Sequence, residues 1–138
     1  MADGIRLSAA VVFVRNLDRS VSFYQELLGL TVADSSTTAA LLVSEDDLRL
    51  VLRAAGENAP HALGSIGIQY LTWTVPTMQD LEDRAGILRR RSAYRETRAD
   101  DGFTVVEGRD PDDLVVLLLH SDLPHSAMRT LPSRIYAW

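Results

Sequence analysis

The sequence contains no cysteine and no lysine. Without cysteine, disulfides, thiolate metal sites and cysteine nucleophiles are excluded. Without lysine, Schiff-base catalysis and a P-loop phosphate site are excluded as well. No apolar run reaches the roughly 18 residues that suggest a membrane span. The N-terminal segment also lacks the basic region and apolar core of a secretory signal, so we expect a cytoplasmic protein without a membrane partner.

Positive charge is also scarce. The 14 basic residues are outnumbered by 19 acidic ones, and the net charge is −5. This balance argues against nucleic acid as a partner. A G-x-S-x-G nucleophile motif, a glycine-rich phosphate loop and an H-E-x-x-H metal motif are all missing from the sequence. With 138 residues and 46% hydrophobic content, the chain is long enough for one well-packed domain.

Residues 11–30, VVFVRNLDRSVSFYQELLGL, organise the first half of the chain. An apolar strand pattern ends at a polar corner and is followed by a helical pattern. Asn16 suits the N-cap of this helix, and Gly29 suits the position just after its end. Apolar residues recur at intervals of three and four, which places them on one helix face. These residues are Leu17, Val21, Tyr24 and Leu28.

The same order of elements is predicted twice. The first half reads as a strand at 5–15, a helix at 17–28 and strands at 30–35, 38–43 and 47–53. The second half reads as a strand at 67–75, a helix capped by Thr77 and strands at 93–99, 103–108 and 113–120. Between the halves we predict a linker at 54–66, and after them a tail at 121–138. The pattern Asp47-Leu48-x-Leu50-x-Leu52 recurs as Asp113-Leu114-x-Val116-x-Leu118, which indicates an internal duplication.

Two motifs carry a family resemblance. Residues 14–30 read V-x-N-L-D-R-S-V-x-F-Y-x-x-L-L-G-L, and residues 109–112 read R-D-P-D before an apolar strand. Both resemble the vicinal oxygen chelate superfamily, which contains glyoxalase I, extradiol dioxygenases and bleomycin- and fosfomycin-resistance proteins. The resemblance implies one α+β domain over residues 1–138, with two βαβββ units forming a curled mixed sheet around a cavity. It also implies helices on the convex face and a homodimer.

Enzymes of the resembled family hold a divalent metal with His, Glu or Gln side chains from the first and last strands of each unit. The matching positions here are Ala9, the strand residues 48–53, Tyr70 and Val116. A one-residue slip at the last position gives Val115 or Leu117. None of these positions carries a His, Glu, Asp or Gln, and ligand identity is the physical requirement for such a site. We therefore expect no family-type metal and no cofactor.

Without a metal, the predicted cavity is apolar with a few polar groups, as small-molecule sites usually are. Alternation along the strands gives the expected lining. Its members are Ala9, Val11, Phe13, Tyr70, Thr72, Val116, Leu118 and His120. The orientation of the strand at 47–53 stays open, and Arg49 or Arg53 supplies a cation if it faces inward; we include Arg49 in the predicted lining. His120 is either a polar anchor in the cavity or a strand-end histidine half in solvent.

Three functions fit this sequence. The first is a small-molecule binding protein that resembles the metal-free bleomycin-type resistance proteins and sequesters an apolar or aromatic ligand in a dimer cavity. The second is a lyase, isomerase or dioxygenase of the superfamily that uses an atypical metal site, or Tyr70 or His120 as acid–base with Arg49 holding a carboxylate. The third is a duplicated fold whose cavity is filled by its own side chains.

Overall fold

The structure, a computed structural model, describes residues 4–60, 66–100 and 102–122. These residues form eight strands and two helices. The elements are β1 (Ala9–Val14), α1 (Leu17–Leu28), β2 (Thr31–Ser35), β3 (Ala39–Val43), β4 (Arg49–Ala54), β5 (Tyr70–Thr74), α2 (Met78–Arg90), β6 (Tyr94–Asp100), β7 (Phe103–Arg109) and β8 (Val115–Ser121). Neither helix has the length and apolar character that crossing a membrane requires. The predicted tail lies outside the described residues from residue 123 onward.

The strands form two four-stranded sheets with the same connectivity. Their orders are β1-β4-β3-β2 and β5-β8-β7-β6. In each sheet the first and last strands of the unit pair in parallel, and the other neighbours pair antiparallel. The predicted α+β fold with two βαβββ units is therefore confirmed. The described residues divide into two compact units, one made of 4–60 and 110–112 and the other of the remainder.

Helix α1 begins and ends where its capping residues predict. The Asn16 side chain accepts a hydrogen bond from the Arg19 backbone N–H at 2.9 Å. Gly29 has a φ of 67°, a left-handed conformation that glycine adopts without strain, and its N–H donates to the Gln25 carbonyl. The buried face differs from the predicted stripe, because only Tyr24 of that stripe is fully buried. The buried residues are Ser20, Phe23, Tyr24 and Leu27.

Helix α2 covers the second sheet and approaches it closely. Thr77 caps it as predicted, since its side chain accepts from the Asp80 N–H at 3.0 Å. Its buried residues are Leu81, Ala85 and Leu88. A Cβ added to Gly108 in β7 would lie 2.7 Å from one Leu88 methyl carbon and 3.0 Å from the Ala93 carbonyl oxygen. The absence of a side chain at this position therefore sets the distance between helix and sheet.

The two units share a detail of backbone conformation. Asp47 and Asp113 have φ values of 63° and 67°, and each lies two residues before the last strand of its unit. Aspartate enters this left-handed region more readily than most residues. The two residues are also the first members of the repeated sequence pattern. The same local turn therefore leads into β4 and β8.

A buried hydrogen bond joins α1 to the turn that precedes β8. The Tyr24 hydroxyl donates to Asp110 Oδ2 at 2.7 Å, and the two residues are 3% and 5% exposed. Asp110 Oδ1 accepts the Asp112 N–H at 2.8 Å, and Asp112 Oδ2 accepts the Arg15 N–H at 3.2 Å. The turn is thus held through both its carboxylates. Because a buried polar group without a partner is costly, these bonds specify one position for the turn.

Replacing Tyr24 with phenylalanine is expected to lower the free energy of unfolding by about 1–3 kcal/mol, because Asp110 loses a buried charge-assisted hydrogen bond. Urea denaturation at pH 7 measures this change. Tyr94→Phe is the matched control, because the Tyr94 hydroxyl bonds to Thr97 at an exposed position and its loss is expected to cost less than about 0.5 kcal/mol. Equal losses in the two variants would contradict the role of the buried bond.

The same bond predicts a dependence of stability on pH. Burial, the charge of Asp110, its hydrogen bond and the charge of Asp112 together hold the pKa of Tyr24 well above its usual value. The folded state therefore keeps this proton while the unfolded chain releases it near pH 10. Stability must fall as pH rises above about 10, with Tyr24 contributing up to about 1.4 kcal/mol per pH unit. Urea denaturation from pH 8 to 11 is expected to show a shallower decline for Tyr24→Phe, and identical slopes would refute this assignment.

Two glycine-to-alanine substitutions are expected to have opposite effects on stability. At Gly108 the new methyl group clashes with packed Leu88 and the Ala93 carbonyl, and we expect a loss of about 1–3 kcal/mol. At Gly86, inside α2, no atom lies within 4 Å of the added carbon, and we expect a gain of about 0.4–1 kcal/mol. Thermal denaturation of both variants checks the pair, and a tolerated Gly108→Ala would show that the helix can shift outward.

Candidate functional site

The first sheet has one face covered by α1, and on its other face no helix lies among the residues that the structure describes. On the covered side, Leu42, Leu50 and Leu52 are no more than 1% exposed. The strand register places alternate residues of β1, β4 and β3 on the opposite side, which we call the open face. It carries three cross-strand rows. The rows are Ala9–Arg49–Val43, Val11–Val51–Leu41 and Phe13–Arg53–Ala39.

Apolar side chains make up most of the open face. Val11 is 61% exposed and Phe13 is 66% exposed, which are high values for residues inside a strand. Val51, Leu41 and Val43 are partly buried beside them. Contiguous apolar surface of this kind marks a binding site more often than inert surface. Four of the predicted lining residues, Ala9, Val11, Phe13 and Arg49, lie together on this face.

Both arginines of β4 project from the open face. Arg49 and Arg53 flank Val51 at alternate positions, so all three residues lie on the same face. The structure therefore places both arginines on the open face, where the sequence leaves their orientation undecided. Each is exposed, and no hydrogen bond or ion pair joins either guanidinium to another described residue. Among the strand residues of this sheet, all of which the structure describes, the single acid on this side is Asp34 in edge strand β2, opposite Leu41. The face is therefore apolar with positive charge at both ends of one strand.

The residues on the open face do not fit a divalent metal. Ala9 is the predicted match to the first ligand position of the resembled family, and the candidates in β4 are Arg49, Val51 and Arg53. None of them donates a lone pair suited to zinc, iron or manganese, and two fixed guanidinium charges repel a cation. Across the part of the chain that the structure describes, no three His, Asp or Glu side chains are grouped closely enough to hold a metal ion.

In the second sheet the predicted lining residues divide between the two faces. Tyr70 and Thr72 pair with Val115 and Leu117, so these four share one face. That face contains a buried cluster of Val105, Val115, Leu117 and Leu119, with Tyr70 and Phe103 packed against it. Val116 and Leu118 instead pair with Leu71 and Trp73 on the face covered by α2, where they are 2% and 0% exposed. The prediction that they share a face with Tyr70 is wrong.

The cause of this error is the composition of β8. Its first five residues, VVLLL, are all apolar, and all are at most 9% exposed. A strand buried on both faces has no period-two pattern, so its sequence does not indicate which residues face the helix. The parallel register with β5 decides the orientation instead. The predicted match at Val116 is therefore one residue out of phase, and the alternatives Val115 and Leu117 are the residues that share a face with Tyr70.

His120 lies on the helix side of the second sheet and not beside Tyr70. Its Nδ1 is 3.0 Å from the Val75 carbonyl oxygen, which can accept a hydrogen bond from the ring. Its Nε2 is 3.2 Å from Asp122 Oδ1. His120 lines an open cavity of about 350 Å³ with Met78, Thr104 and Ser121. Because Tyr70 and His120 lie on opposite faces of one sheet, they do not act together on a single reacting group.

The sequence reasoning missed part of the open face. Val51, Leu41 and Val43 were not among the predicted lining residues, although they share its rows. The signal was present in β4, whose sequence RLVLRA alternates two leucines with Arg49, Val51 and Arg53. Since leucine is the more strongly buried type, this alternation places both arginines away from the helix.

Comparisons with known proteins agree with this architecture. The model of the family described as "Glyoxalase/Bleomycin resistance protein/Dioxygenase superfamily" matches residues 6–118. Among curated proteins, no sequence matches the chain.

Several solved structures share the fold. A glyoxylase/bleomycin resistance protein/dioxygenase domain from Frankia sp. EAN1pec has 23% sequence identity and a TM-score of 0.73, covering 88% of this chain and 99% of its own. A glyoxalase/dioxygenase from Nostoc punctiforme has 15% identity and a TM-score of 0.72, covering 89% and 97%. Lactoylglutathione lyase from Agrobacterium tumefaciens has 12% identity and a TM-score of 0.67, covering 86% and 96%. At these identities the likeness concerns the fold alone.

Proposed function

Because the chain belongs to the glyoxalase/bleomycin resistance protein/dioxygenase superfamily, we propose that it is a small-molecule binding protein that sequesters an apolar or aromatic ligand without a metal. The observation that carries the proposal is the open face of the first sheet. There Val11 and Phe13 are mostly exposed, and Val51 and Leu41 continue the apolar surface beside them. A ligand that covers these side chains removes apolar area from water, which stabilises the complex.

The chemistry of the residues supports binding over catalysis. The positions predicted to match the metal ligands of family enzymes carry Ala9, Arg49 or Val51, Tyr70 and Val116, and side chains of these types do not hold the metal that polarises substrate oxygens in such enzymes. Acid–base catalysis requires titratable groups that converge on one point. Within the second unit, Tyr70 and His120 do not converge. A binding protein requires neither condition, and the predicted homodimer is part of the same proposal.

The proposal is tested with a neutral aromatic probe, 2-naphthylmethanol, titrated into ¹⁵N-labelled protein. We expect chemical-shift changes confined to the amides of β1, β3 and β4. Phe13→Ser is expected to weaken binding about tenfold, which corresponds to the loss of about 1.4 kcal/mol of apolar contact. Ile68→Ser is the matched control, because Ile68 is equally apolar, 75% exposed and located in the second unit. Absence of binding, or shifts that spread evenly over the chain, would overturn the proposal.

The proposal that binding requires no metal has its own control in the same titration. Protein treated with EDTA and dialysed is expected to bind the probe with unchanged affinity, because the open face contains no ligand set for a divalent ion. Loss of binding on chelation, with recovery on addition of zinc, nickel or manganese, would show that a metal is required.

A further inference from the structure

The open face carries a charge pattern that narrows the class of its ligand. The chain as a whole has a net charge of −5, yet this face has two arginines in its central region and one acid at its edge. Arg49 and Arg53 are four residues apart in β4, so their Cα atoms are separated by about 13 Å, with Val51 midway. The local sign of charge is thus opposite to that of the whole molecule.

The two guanidinium groups have apolar neighbours across the sheet. Ala9 and Val43 flank Arg49, and Phe13 and Ala39 flank Arg53. No carboxylate of another described residue pairs with either group. Asp34 lies two strands from β4, about 10 Å away in the sheet, and its Oδ1 accepts the Ser35 N–H. It therefore lowers the positive potential without forming an ion pair with either arginine.

Three other occupants suit this pattern less well. A divalent cation is repelled by the arginines. A second copy docked face to face would oppose two arginines with two arginines, and like charges at an interface are unfavourable. A neutral aromatic ligand would cover the apolar rows but would offer neither guanidinium group a charged partner. A carboxylate instead matches guanidinium geometry and forms paired, charge-assisted hydrogen bonds with it.

We propose that the ligand of the open face is an aromatic or other flat apolar carboxylate, whose ring covers the Val11–Val51–Leu41 row and whose anionic group is bound by Arg49 and Arg53. This inference rests on the proposed function, because it concerns the same face. It adds the chemical class of the ligand and assigns specificity to two residues. The apolar rows supply most of the contact area, and the arginines select for negative charge.

The test compares two probes of nearly equal size, 2-naphthoate and the neutral 2-naphthylmethanol, by calorimetry and by NMR titration of the intact protein. In low salt, 2-naphthoate is expected to bind at least tenfold more tightly than the alcohol. Raising the salt concentration is expected to reduce this ratio, because screening weakens attraction between exposed charges. The affinity of the alcohol is expected to stay nearly constant over the same salt range.

Variants assign the preference to residues. Arg49→Gln and Arg53→Gln are each expected to weaken 2-naphthoate binding about threefold to tenfold, and the double variant is expected to bind both probes equally. Both side chains are exposed, so the thermal midpoint should change little and report intact folding. Arg90→Gln removes the same charge from an exposed position in α2 and is expected to leave both affinities unchanged.

Failures of the two proposals can be distinguished. If both probes bind at β1, β3 and β4 with equal affinity, the carboxylate inference is overturned and the proposed apolar binding function stands. If neither probe binds, both are overturned. If 2-naphthoate binds more tightly but the double variant keeps that preference, negative charge is recognised elsewhere and the assignment to Arg49 and Arg53 is wrong.

Discussion

A single helix covers one face of a four-stranded sheet, and each described unit of this chain pairs one helix with one such sheet. Among the described residues, no helix lies on the other face of either sheet. In the second unit, Val115 and Leu117 on this face belong to a buried cluster. In the first unit, Val11 and Phe13 on this face are mostly exposed. The two units therefore share one topology but differ in how far this face of the sheet is exposed.

Polar contacts hold the helix and loops of the first unit in one arrangement. Tyr24 and Asp110 are both nearly inaccessible to solvent, and their 2.7 Å hydrogen bond satisfies each of them. Arg15 adds a second tie, because its side chain donates to the Ala59 carbonyl at 2.7 and 2.9 Å while its N–H donates to Asp112. Hydrophobic burial alone tolerates many arrangements. Buried hydrogen bonds tolerate few, so residues far apart in sequence are held at one position.

The two sequence motifs of the family have structural roles in this chain. The helix motif and the R-D-P-D turn maintain the scaffold, since Asn16 caps α1 and Asp110 anchors the turn. Neither motif supplies a metal ligand. In the first sheet, Ala9 pairs with Arg49 on the neighbouring strand. One fold can carry different sites, so family membership alone does not assign a function to these residues.

The sequence by itself determined the order of elements, the helix caps at Asn16, Gly29 and Thr77, and the duplication, because these depend on local backbone chemistry and periodicity. It also determined that the positions matched to the family's metal ligands, among them Ala9, Tyr70 and Val116, carry no His, Glu, Asp or Gln. Strand orientation was decided by tertiary structure where the sequence has no alternation. The apolar run of β8 allows either face to meet α2, and only its register with β5 places Val116 and Leu118 under the helix. Likewise, the register of β1 with β4 brings Arg49 and Arg53 to the same side as Phe13, since pairing across strands is not encoded within either strand alone.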